Sequence, residues 1–90
     1  MAKAHVDPAE LRKFARELNR TGQDVQTLMM NLHAKLRELQ KTWRDQQQQR
    51  FAEEFEQTIK TLRKFLESSE RHVAYLQQRA GHIEEYLQQR

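Results

Sequence analysis

A chain of 90 residues makes at most one small domain, and a domain this short buries a limited share of its surface. Only 37% of the residues are hydrophobic and 32% are charged, with 2 Gly and 1 Pro, a composition that predicts long helices. There is no cysteine, which excludes disulfide and thiolate chemistry, and no run approaches the ~20 apolar residues of a membrane span. The start, MAKAHVDPAE, lacks the apolar stretch of a cleavable signal peptide. The net charge of +3 comes from the first half, with 8 basic and 5 acidic residues up to Thr42 and 8 of each beyond it, an excess too thin for a nucleic-acid stripe.

The first element starts at DPAE, Asp7 to Glu10. Asp7 is placed to accept from a free backbone N–H, Pro8 suits the first helical turn, and Glu10 stands where a capping box wants an acid. Leu11, Leu18, Val25, Leu32 and Leu39 then recur every seven residues, with Phe14, Ala15, Leu28, Met29 and Leu36 filling the intervening turns. A stripe three positions per heptad wide belongs to a bundle helix rather than to a narrow two-stranded seam. Gly22 costs about 1 kcal/mol relative to Ala in a helix, yet Leu18 and Val25 keep phase across it, which predicts one unbroken helix.

The turn is expected in KTWRDQQQQRF, Lys41 to Phe51. Trp43 continues the stripe of Leu36 and Leu39, so its indole is placed to close the hydrophobic end of a hairpin. Asp45 followed by Gln48 repeats the capping logic, which makes the four glutamines the first turn of a second helix. That helix is the more regular one. Phe55, Ile59, Leu62, Leu66, Ser69, Val73, Leu76, Ala80, Ile83 and Leu87 follow alternating steps of four and three, flanked on one side by Phe51, Phe65 and Tyr86. Gly81 falls outside these core positions. The expected fold is all-α: helices over about 8–41 and 46–89 joined by a turn at 42–45, one helical-hairpin domain. Its wide stripes call for cover, most simply by a second copy in a four-helix-bundle homodimer. Leu18, Val25, Leu32, Phe55, Leu62, Phe65, Leu66 and Val73 are the candidate core and dimer-interface residues.

A central turn tryptophan between two long helices, in a chain of this length, resembles the WXG family, the early-secreted-antigen-type small proteins of type VII secretion. Trp43 and Phe51 stand where such proteins carry the turn tryptophan and the first aromatic of the second helix; Asp45 replaces the motif glycine. Asp tolerates φ > 0 and is also a good N-cap, and either property preserves the hairpin. The resemblance implies a small secreted or secretion-linked partner or adaptor, paired with itself or a related hairpin protein, with a secretion ATPase or larger effector as a further partner. It implies a cytoplasmic or secreted location without a cleavable signal peptide.

The family's export signal is a tyrosine followed four residues later by an acid. Here the tail reads YLQQRAGHIEEYLQQR, so Tyr75 is followed by Arg79 and Tyr86 by Arg90. The two YLQQR units recur at a spacing of three helical turns plus about 20°, which places them on one face as candidate docking residues of altered charge.

Catalysis finds little material. His5, His33, His72 and His82 form no i, i+4 pair, and Glu53–Glu54 and Glu84–Glu85 read as solvated helix residues. There is no phosphate loop or nucleophile elbow. The sequence reading is a non-enzyme that needs no cofactor or metal. Two other readings are an intracellular coiled-coil scaffold and a nucleic-acid-binding hairpin using Arg12, Lys13, Arg16 and Arg20.

Overall fold

A computed structural model describes residues 6–89; His5 and Arg90 lie outside them. Two helices account for nearly all of it, α1 (Pro8–Gln40, 33 residues) and α2 (Gln46–Gln88, 43 residues), packed on one another as the expected hairpin. Asp7 caps α1 in extended backbone, its Oδ1 accepting from the N–H of Ala9 at 2.9 Å, with Pro8 at the start of the first turn. At α2 the cap is Asp45, again extended (φ −95°, ψ −178°), with Oδ1 accepting from the N–H of Gln48 at 3.1 Å. In each case only the forward half of the capping box forms among the described residues. No described residue has a positive φ, so Asp45 serves as a cap and not as a left-handed turn residue.

The turn is held mostly by one carbonyl. Leu39 O accepts from the N–H of Thr42 (3.1 Å), from the N–H of Trp43 (3.0 Å) and from the Thr42 hydroxyl (3.3 Å), while Lys41 N–H bonds to Glu38 O. These tight bonds satisfy the last carbonyls of α1 without a glycine cap. Helical backbone therefore stops before Trp43, which sits in the turn itself.

The seam between the helices is narrow. Ala15, Met29, Ile59, Ser69 and Ala80 are buried, and Ile59 is the largest side chain fully enclosed. On α2 the four–three spacing holds from Ala52 to Ile83. On α1 the half-buried row runs through Leu11, Leu18, Gly22 and Val25, then passes to Met29, His33 and Leu36. Leu32 and Leu39 are 48% and 45% exposed. The inner row of α1 alternates steps of four and three from Leu11 to Met29 and then takes a second step of four, so His33 stands at the seam where the sevenfold count places Leu32. Gly22 faces α2 at ordinary distance: a Cβ there would meet Leu66 Cδ2 at 3.7 Å. Gly81 leaves α2 unbroken.

The result is a rod of 69 × 21 × 17 Å with a radius of gyration of 20.3 Å, against about 12 Å for a compact chain of this length. Its accessible surface is 7786 Å², where a compact monomer of 10.9 kDa would expose about 5,600 Å². The hairpin is a surface-rich object with little core.

Candidate functional site

The turn end is built from rings. Asp45 starts α2 so that Phe51 and Phe55, four residues apart, rise on one face of its first turns. The indole of Trp43 packs on Phe51 (centroids 5.7 Å, 39°), Phe51 stacks on Phe55 (5.9 Å, 25°), and Phe55 meets the imidazole of His33 across the seam (6.0 Å, 45°). Trp43 thus bridges the turn to α2, and Phe51 remains 40% exposed. Beyond the rings, His33 Nε2 is cut off from solvent without a hydrogen bond, 3.4 Å from Glu56 Oε1.

At the other end lies a contact between residues far apart in sequence. Arg12 reaches across to Glu84 with Nη2 donating to Oε1 at 2.7 Å and Nε donating to Oε2 at 3.0 Å. These hydrogen bonds, followed by the guanidinium charge, hold the Glu84 carboxyl below its usual range against the opposing pull of desolvation, and raise Arg12 in turn. Glu84 is thus not a merely solvated residue, and Arg12 is withdrawn from the basic group it forms with Lys13, Arg16 and Arg20. Neither residue stands out in sequence, because opposite charges at matching heights on two helices are legible only once the turn has set their register.

Between the two ends, the interface candidates divide. Leu18, Val25, Phe55, Leu62, Leu66 and Val73 lie half-buried along the seam, whereas Leu32 and Phe65 (49% exposed) stay open. They have company: Phe14, Leu28, Leu39, Phe51 and Tyr86 are also exposed. By helical spacing, these residues on α1 and on α2 lie to the same side of their own seam positions. In an antiparallel pair those two sides form one face of the hairpin. The opposite face is more polar, with Asn19, Gln23, Arg63 and Glu67 beside a groove over Gly22 and Ser69, and Met30 (67% exposed) is its large apolar residue on α1. Tyr75 (62% exposed) and Arg79 are open on α2 near its end.

An apolar face on an otherwise polar hairpin, with a tryptophan turn at one end, matches a known pattern. The family model described as "Proteins of 100 residues with WXG" covers residues 3–86. The chain belongs to the WXG100 family. No curated protein and no solved structure matches it. As a WXG100 protein it is a small helical, protein-interacting hairpin, with Trp43-Arg44-Asp45 in its own turn. Among the described residues no helix is long and apolar enough to cross a membrane, and no group of His, Asp and Glu is gathered to hold a metal ion.

Proposed function

We propose that this WXG100 protein works by pairing, apolar face to apolar face, with a second copy of itself to form a four-helix bundle, and that the bundle is a secretion-linked partner of the type VII kind. The observation that carries this reading is the exposed row of Phe14, Leu28, Leu32 and Leu39 on α1 and Phe51, Phe65 and Tyr86 on α2. Large apolar side chains gathered on one side of a thin rod mark an interaction surface. The charges bordering the row favour a like chain. Glu10, Glu17 and Asp24 precede Lys35 along α1, and Glu54 precedes Arg79 along α2, all of them exposed. Whichever way a second copy runs, acidic stretches meet basic ones.

Light scattering at micromolar concentration tests the pairing. The expected mass is twice the 10.9 kDa of the chain, and a monomer mass throughout that range would overturn it. Phe65→Glu puts a charge in the middle of the row, while Tyr75→Glu alters a residue further round the helix. The first is expected to weaken the dimer at least tenfold, roughly the loss of one desolvated aromatic contact, and the second to leave it nearly unchanged. Equal effects would place the interface elsewhere.

A further inference from the structure

The last buried residue of α2 is Ala80. After it Ile83 is half-buried, and Glu85, Tyr86, Leu87 and Gln88 are exposed, although Leu87 continues the spacing of the seam. Its exposure has a simple cause: α1 begins only at Pro8, and α2 outruns it. What ties this end down is Arg12 and Glu84, whose two hydrogen bonds are the only side-chain hydrogen bonds joining α1 to α2 among the described residues. The weakest helix former in α2's second half, Gly81, lies directly behind the pair, and a Cβ on it would come within 3.8 Å of Arg12 Nη2. The last turn of α2 holds no basic residue to favour the helix end.

We propose that Arg12 and Glu84 form a releasable clasp with Gly81 as its hinge, so that the turn of α2 carrying Ile83 and Glu84 lifts from the start of α1, and residues 85–88 swing with it, while the seam up to Ala80 stays closed. The geometry gives the clasp strength, since a bidentate guanidinium–carboxylate pair fixes direction as well as distance. Its exposure makes it releasable: the two side chains remain 38% and 40% accessible, so water or a partner's charge recaptures either at little cost. The clasp decides whether Tyr86 and Leu87 are held along the hairpin or offered as a separate helical segment. It operates in the single hairpin, whatever covers the apolar face.

Hydrogen exchange on the full chain at neutral pH tests it, with Arg12→Gln, Glu84→Gln, the reversed pair Arg12→Glu/Glu84→Arg, and Gly81→Ala. Amides 82–88 are expected to exchange roughly two- to five-fold faster in either single variant, the scale of one exposed ion pair, and to return towards wild-type rates in the reversed pair. Gly81→Ala is expected to slow them. Amides 55–76 are expected to stay unchanged in every variant. Wild-type rates at 82–88 in both single variants would show the pair to be idle. Equal acceleration along both helices would make it a contact of the whole hairpin and not a local clasp. Either result overturns the proposal.

Discussion

At the scale of single residues, the turn rests on a cap and a ring. Asp45 binds the N–H of Gln48 from extended backbone, so Asp45→Ala is expected to cost about 1 kcal/mol, and Asp45→Gly, which restores the family's tripeptide, only a few tenths. Thermal melts of the two variants check the order; a larger loss in the glycine variant would point to a role for the carboxylate beyond capping. Trp43 packs on Phe51 but keeps part of its indole in solvent. Trp43→Ala is therefore expected to cost about 2–3 kcal/mol, below the roughly 3–5 of a fully enclosed aromatic. Gly22 offers the opposite test. A Cβ there meets Leu66 at van der Waals distance, so Gly22→Ala is expected to stabilise the hairpin by about 1 kcal/mol, raising its melting temperature by roughly 4–8 °C. A lower melting temperature would mean that the seam closes more tightly on Gly22 than 3.7 Å allows. The two caps were legible in sequence because capping is local chemistry. That Asp45 uses its capping power, and not its tolerance of positive φ, was not, because the two choices differ only in backbone angles.

At the scale of the helices, periodicity carried the reading far on α2 and less far on α1. The inner positions of α2 keep alternating steps of four and three from Ala52 to Ile83. On α1 a second step of four after Met29 gives His33 the inner position that the sevenfold count assigns to Leu32, and Gly22 holds another; no hydrophobic count would choose either residue. The pair that joins the helix ends was invisible for a different reason: Arg12 and Glu84 are 72 residues apart, and only the register brings them together. That pair makes stability depend on acid. A carboxyl held below its ordinary range contributes stability above that range, and the contribution is lost as pH falls through the depressed value. Glu84→Gln is thus expected to melt below wild type at neutral pH and to converge with it in strong acid. Parallel melting curves at every pH would show that ionised Glu84 adds nothing to the fold.

At the scale of the whole molecule, a rod with so much surface and so few enclosed side chains offers a large area for contact, and on the proposed reading the tail is where that contact would depart from the family pattern. The tail reading rests on the resemblance, in which tyrosine and an acid four residues later are read together near the partner's turn motif. Four residues along a helix return to the same face, so a receptor meets the hydroxyl and the charge at once. Here Tyr75 is open to solvent and so is Arg79, which gives that receptor a cation in place of an acid. Tyr86 is open as well, and the sequence sets Arg90 four residues after it. A surface complementary to an anion rejects a cation by desolvation and repulsion together. The unmodified chain is therefore expected to stay inside a cell that carries a standard type VII system, or to need a machine adapted to a basic tail. Arg79→Glu and Arg90→Glu each restore the family pairing outside the heptad core, so each variant is expected to gain export; Arg90→Glu is expected to keep the dimer, and Arg79→Glu, which reverses a charge bordering the apolar row, to weaken it without abolishing it. The measurement is expression in a type VII-competent host, with the medium probed for the chain and for a cytoplasmic marker of lysis. Abundant wild-type chain in the medium without the marker would show that the arginines are themselves the signal. Retention of both variants, with their dimers intact, would show that the charge at the fourth residue is not what the machine reads.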